Sequence, residues 1–192
     1  FQFLAEGDVA LVERKRVTIW DEHGAVVERE VKESELSADA AERGKFRHFM
    51  QKEIHEQAEA VARTLNERIA NGKVLDAAFG PTANEVLDAT RGVHIIACGT
   101  SYHAGLVARY WIEQLCRIPC MVEIASEYRY RSPVVPDGTL FVTISQSGET
   151  ADTLAALQMA KELGYVETLT ICNAPESSMV RESGLAMMTN AG

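Results

Sequence analysis

Residues 140–150 read Leu-Phe-Val-Thr-Ile-Ser-Gln-Ser-Gly-Glu-Thr, in which a short apolar run leads into a polar loop with one glycine. Leucine, methionine and alanine then recur at helical spacing as far as Gly164. The segment therefore predicts a buried strand, a tight loop and a helix. Because strand, loop and helix in this order are the repeating unit of a parallel sheet, the segment favours an α/β fold.

Similar apolar runs before and after this segment complete the predicted sheet. Gly99-Thr100-Ser101 and a helical pattern follow the first of them, which repeats the same order. We therefore expect a parallel sheet of about five strands with helices on both faces. The predicted strands occupy residues 94–98, 121–125, 140–144, 166–172 and 185–189.

The amino-terminal residues predict a different structure. Residues 8–20 and 25–31 are rich in valine, and they flank Asp21-Glu22-His23-Gly24, which indicates a β-hairpin. An isolated hairpin is only marginally stable, so we expect a remnant of a larger sheet. The chain also starts without methionine, inside the apolar stretch Phe1-Gln2-Phe3-Leu4, as a cut fragment or a processed chain would.

A linker and a helix are expected between the hairpin and the sheet. Residues 32–45 are polar and charged, which is typical of a linker. Apolar residues at three- and four-residue spacing predict a helix over residues 46–69 that stops at Asn71-Gly72. His48 and His55 share this helix without a third ligand, so we expect surface histidines and no metal site.

Composition excludes several classes of protein. The chain has 192 residues, of which 46% are hydrophobic, enough for one domain or one and a half. No run approaches the roughly 18 apolar residues that a membrane span needs. A net charge of −9 argues against a broad nucleic-acid interface, because phosphate contacts require clustered lysine and arginine. We expect a soluble, cytoplasmic protein that binds neither membranes nor nucleic acid.

The cysteines give no sign of redox or metal chemistry. Their spacing fits neither a CxxC pair nor a paired zinc motif, so we expect buried free thiols in a reducing compartment. We accordingly expect neither a metal nor a cofactor. The cysteines are Cys98, Cys116, Cys120 and Cys172.

The loop at residues 145–150 has the composition of a phosphate site. It offers three hydroxyls and one carboxamide, and the next helix starts at about Thr150, so that helix's free N–H groups point into the same space. Such donors suit a phosphate monoester without any lysine or arginine. The alternative is that Ser147 or Thr150 simply caps the helix.

The loop after the first strand adds two hydroxyls, from Thr100 and Ser101, at another predicted helix start. A dinucleotide site is an alternative here, since Glu127 follows the second strand where a ribose-binding acid would fall. The loop lacks the GxGxxG spacing, however, which disfavours that alternative. His103 is a conceivable acid or base without an identifiable partner.

Longer motifs resemble one enzyme family over essentially the whole chain, namely the glutamine:fructose-6-phosphate aminotransferases (isomerizing), or glucosamine-6-phosphate synthases. Ser-Gln-Ser-Gly-Glu-Thr alone is similar to the wider sugar isomerase (SIS) fold. The joint occurrence of all the segments is specific to the synthases. The matching segments lie at residues 3–10, 48–54, 98–101, 122–131, 145–153, 171–173 and 188–192.

The resemblance implies an SIS-type three-layer sandwich within an enzyme that makes glucosamine 6-phosphate from fructose 6-phosphate and glutamine. Residues 1–31 would be the last strands of a glutaminase domain, residues 32–90 a linker and helix, and residues 91–192 the first SIS subdomain. By the same resemblance, two sets of residues would bind the substrate. Ser145, Gln146, Ser147 and Thr150 would hold its phosphate, and Thr100 and Ser101 would line the sugar side.

The resemblance also implies partners outside this chain. The glutaminase nucleophile is an amino-terminal cysteine, whereas residue 1 here is Phe. The lysine, glutamate and histidine of the isomerase reaction belong to a second SIS half, so we expect no catalytic residue and no activity from this chain alone. The family's isomerase domains form homodimers. The alternative function is a non-catalytic SIS sensor of sugar phosphates.

Overall fold

The computed structural model describes residues 2–31, 43–66 and 68–191. The chain divides into two compact units, Phe1–Arg47 and His48–Gly192. Most of the predicted linker, residues 32–42, lies outside the described residues.

The first unit contains a three-stranded antiparallel sheet, formed by β1 (Val9–Val12), β2 (Val17–Trp20) and β3 (Val26–Val27). The predicted hairpin is confirmed between β2 and β3, where Asp21 Oδ1 accepts the N–H groups of His23 and Ala25, both at 2.9 Å. The prediction of one strand over residues 8–20 is wrong. Charged residues 13–16 turn the chain there, so that β1 pairs with β2.

The second unit begins with α1 (Phe49–Leu65), which ends four residues before the predicted helix does. Asn71 and Gly72 do not stop a helix. Both have positive φ, at 53° and 73°, and they form the tight turn between β4 (Ile69–Ala70) and β5 (Lys73–Val74). The last residues of the predicted helix are thus drawn into a short hairpin.

Five parallel strands confirm the predicted sheet and the α/β fold. Their order is β10-β9-β8-β6-β7, so β6 and β8 are central neighbours. The strands are β6 (Gly92–Ala97), β7 (Cys120–Ile124), β8 (Thr139–Ser145), β9 (Thr168–Cys172) and β10 (Leu185–Met188). The helices are α2 (Ala83–Ala89), α3 (Gly99–Trp111), α4 (Ala125–Tyr128), α5 (Ala151–Ala160) and α6 (Ser178–Glu182).

Alternate side chains of the central strands build a core on each face of the sheet. Val93 and Ile95 of β6 pack in the cluster that α2 and α3 cover. Ile96 and Phe141 point to the opposite face, into the cluster that α4, α5 and α6 cover. Because both faces are covered, the strands are nearly continuous apolar runs, which is why the sequence predicts them well.

His94 interrupts this apolar pattern, yet it is fully buried. Its Nε2 lies 3.0 Å from Glu123 Oε1, and its Nδ1 lies 2.8 Å from the Tyr165 hydroxyl oxygen. A carboxylate only accepts, so Nε2–H donates to Glu123 and Nδ1 accepts from Tyr165. Burial lowers the pKa of His94, and the nearby Glu123 carboxylate opposes that shift only in part.

We predict that His94 makes the fold less stable in mild acid. With the folded-state pKa below the unfolded value of about 6.5, the unfolded chain binds more protons, so stability is lost as pH falls through that region. Urea unfolding from pH 7.5 to 5.5 should show a steeper loss for the wild type than for His94→Gln. If the free energy of unfolding changed equally with pH in both proteins, His94 would not be the source of the pH dependence.

Candidate functional site

The two polar loops lie side by side because of how the central strands pair. β6 and β8 are parallel, and their last paired residues are Ala97 and Ile144. Cys98 and Ser145 follow directly, so the loops leave the same edge of the sheet as neighbours. The structure therefore brings together the two groups of residues that the sequence singled out separately.

A crevice is expected between these loops from the direction of the following helices. The chain runs from β6 outward to β7 on one side, and from β8 outward to β9 on the other. α3 accordingly covers one face of the sheet and α5 covers the opposite face. Where neighbouring strands send their helices to opposite faces, the loops diverge and leave room for a ligand.

Within the loop at residues 145–150, two hydroxyl oxygens accept local N–H groups. Ser145 Oγ accepts from Gly148 at 3.0 Å, and Ser147 Oγ accepts from Glu149 at 3.2 Å. Each hydroxyl keeps its own proton for donation. Ser145 is the last residue of β8 and is 7% exposed, whereas Gln146 and Ser147 are exposed.

The capping alternative for this loop is wrong. Thr150 occupies the N-cap position of α5, but its side chain makes no capping hydrogen bond. The N–H group that Ser147 accepts belongs to Glu149, which precedes the helix. Within the described ranges, neither the Thr150 hydroxyl nor the Gln146 carboxamide has a hydrogen-bond partner. Both groups remain available to a ligand beside the open first turn of α5.

Gly148 fixes the shape of the loop. Its φ is +68°, in the region that favours glycine, and a Cβ atom there would lie 2.0 Å from Ser177 Oγ. The loop thus packs directly on the segment between β9 and α6. Ser177 in that segment and Cys172 at the end of β9 are both buried, so the loop rests on buried residues.

The second loop is simpler. Cys98 is the N-cap residue of α3, Gly99 has a φ of +56°, and Thr100 and Ser101 stand in the first helical turn. Thr100 is exposed and Ser101 is half-buried. Among the residues that the structure describes, no side-chain hydrogen bond engages either hydroxyl. The starts of α3 and α5 therefore lie at the same end of the sheet, each with a hydroxyl that has no partner among the described residues.

Other residues that the sequence singled out lie elsewhere. Glu127 is an exposed residue of α4, and His103 is an exposed residue of α3 whose ring contacts the Tyr102 ring, with centroids 5.5 Å apart. The four described cysteines are free, but only two are buried, and Cys116 is exposed, contrary to expectation. The described ranges contain no metal-binding cluster of three His, Cys, Asp or Glu, and no helix able to cross a membrane.

The sequence did not predict which residues bind the loop at residues 145–150 to the rest of the sheet. Glu149 Oε1 accepts the N–H group of Ser178 at 2.7 Å, and Gln146 O accepts that of Asn173 at 3.3 Å. These partners are 29 and 27 residues apart in sequence. The periodicity of apolar residues carries no signal for such contacts, although Glu149 itself lies within the motif.

Comparison with known proteins assigns this architecture to a family. The SIS domain model matches residues 88–192. All 192 residues align with glutamine–fructose-6-phosphate aminotransferases (isomerizing), at 61% identity for Shewanella oneidensis and 55% for Escherichia coli K12, and the chain spans 32% of each. The C-terminal domain of glucosamine-fructose-6-phosphate aminotransferase from Francisella tularensis superimposes with a TM-score of 0.76 and 53% identity, over 79% of this chain and 43% of that chain.

The predicted resemblance is thus confirmed, both in the sheet and in residues outside the SIS match. Since the family model covers more than half of the chain and the fold agrees with it, this chain belongs to the SIS domain family.

Proposed function

We propose that this chain is the sugar-phosphate-binding part of a glutamine–fructose-6-phosphate aminotransferase (isomerizing). The observation that carries the proposal is the pair of loops at the carboxyl ends of β6 and β8. Among the described residues, four of their side chains have no hydrogen-bond partner, those of Thr100, Ser101, Gln146 and Thr150. Similarity to the aminotransferases extends through residues 1–87, before the SIS match. That extent favours the enzyme over a sugar-phosphate sensor that shares only the SIS fold.

The phosphate would be held by Ser145, Gln146, Ser147 and Thr150, together with the first N–H groups of α5. These donors are neutral, but they are fixed by the strand and the helix, and the helix N-terminus supplies a partial positive charge. A hydrogen bond to a charged phosphate contributes about 1.5 to 3 kcal/mol. Several of them would compensate for the absence of lysine and arginine from residues 145–150.

Thr100 and Ser101 would face the sugar from the second loop. Their hydroxyls can donate to or accept from ring or chain hydroxyls of the substrate, so they suit orientation of the sugar rather than charge neutralisation. The proton transfers of amination and isomerisation would use groups from the second SIS half. We propose that residues 1–31 belong to the glutaminase domain, residues 32–90 to the linker and residues 91–192 to the first SIS subdomain, in a cytoplasmic homodimer.

Ligand selectivity tests the proposal directly. Thermal-shift measurements should show stabilisation by glucosamine 6-phosphate and fructose 6-phosphate, a smaller shift with inorganic phosphate, and none with fructose or NAD. Binding to the folded state alone raises the melting temperature, and a concentration 100 times the Kd adds about 2.7 kcal/mol. A shift with NAD alone would overturn the proposal.

Loss of one phosphate donor should weaken binding without unfolding the chain. Ser147→Ala and Thr150→Val should each lower the affinity for glucosamine 6-phosphate roughly ten- to a hundredfold in calorimetric titrations. Melting temperatures should change little, because neither hydroxyl caps α5. Ser132→Ala, at an exposed serine outside both loops, is the matched control. Unchanged affinity in both variants would contradict the phosphate assignment.

The chain alone should bind substrate without converting it. Incubation with fructose 6-phosphate and ammonia should yield no glucosamine 6-phosphate by mass spectrometry, since the proposed proton-transfer groups lie in the second SIS half. Accumulation of the product would show that this chain carries a complete catalytic set.

A further inference from the structure

We propose that Glu149 is a positioning residue that fastens the loop at residues 145–150 to the start of α6 and so holds the phosphate donors in place. The proposal rests on the proposed function for its ligand. Its structural basis is independent of that function and can be measured without any ligand.

Two hydrogen bonds join the loop to α6. Glu149 Oε1 accepts the N–H group of Ser178 at 2.7 Å, and Gly148 O accepts that of Met179 at 3.1 Å. Both N–H groups lie in the first turn of α6, where no intrahelical acceptor exists. The loop therefore provides the acceptors that this helix start requires.

The contact between the loop and α6 is anchored in the core on the α6 side. Met179 is fully buried in the core cluster beneath α5, and Ser177 is 5% exposed. The loop side is less constrained by itself, because its internal bonds span only two or three residues. The two hydrogen bonds to α6 thus tie the loop to the core and restrict the conformations that the loop can adopt.

The charge of Glu149 is unfavourable for the proposed ligand. Glu149 is the one acidic residue in the loop, and its carboxylate repels a phosphate dianion. A positioning role accounts for it, since its oxygen is engaged with α6. Glutamine would keep the acceptor and remove the charge, whereas alanine would remove both, so these two variants separate positioning from charge.

The donor can be removed as well. Ser178 is the first residue of α6, where proline is tolerated, and Ser177 before it has φ −66° and ψ 161°, which suits a residue that precedes proline. Ser178→Pro therefore deletes the N–H group at little cost to the helix. Ser178→Ala is the matched control, because it retains the N–H group and removes only the hydroxyl that accepts from Arg181.

Titrations with inorganic phosphate and with glucosamine 6-phosphate test the positioning role. Glu149→Ala and Ser178→Pro should each weaken both ligands by about tenfold, and the double variant should be no weaker than either. Glu149→Gln should bind as tightly as the wild type or more tightly, and Ser178→Ala should match the wild type. Equal affinities of the alanine and glutamine variants, or additive losses in the double variant, would overturn the proposal.

Amide hydrogen exchange on the ligand-free chain keeps the two proposals distinguishable. In Glu149→Ala the amides of Ser178 and Met179 should both exchange faster than in the wild type, while those of β8 stay protected. Unchanged protection of Met179 would overturn the positioning role even if phosphate binds. Suppose that the wild type binds no phosphate but the Met179 amide loses protection in Glu149→Ala. The proposed function then fails, and the fastening of the loop by Glu149 stands.

Discussion

The site depends on the parallel hydrogen-bonded pairing of β6 with β8. Ala97 and Ile144 are the last residues that pair, so the two polar loops begin at the same level along the strand direction. The strand order then sends α3 and α5 to opposite faces of the sheet. Neither constraint involves a functional side chain, yet together they bring two helix N-termini to the same end of the sheet. The backbone of the sheet thus builds the site before any hydroxyl contributes.

The proposed anion site is compatible with a net charge of −9, because it depends on this geometry and not on an excess of lysine and arginine. Lysine and arginine would attract phosphate from a distance, but their long side chains lose conformational entropy when they are fixed. Hydroxyls on a strand end and N–H groups of a helix turn are already fixed by the fold, so little entropy is lost on binding. Such a site relies on short-range hydrogen bonds, which leaves the overall charge of the chain free to be negative.

Local sequence predicted the strands and the loops but not their assembly. Five apolar runs became five strands because a sheet covered on both faces needs apolar residues throughout. Asn71-Gly72 predicts a helix stop equally well as a hairpin turn, because turn residues end helices and join strands alike. The pairing of Ile69 with Val74 decides for the hairpin. Strand order, and the contact of Glu149 with Ser178, depend on residues far apart in the chain. Periodicity within one segment cannot encode them.

The two proposed roles of the loop motif correspond to the two sides of a loop at a strand end. On the side that we propose faces the ligand, Gln146, Ser147 and Thr150 retain groups that can donate. Gly148 and Glu149 contact the segment beneath, through a backbone approach that only glycine permits and through the N–H group of Ser178. Ser145 belongs to both sides, since its oxygen accepts from Gly148 while its proton remains available. An interpretation of the motif as ligand contacts alone would leave Gly148 and Glu149 unexplained, because their proposed role is to fix the geometry of the donors.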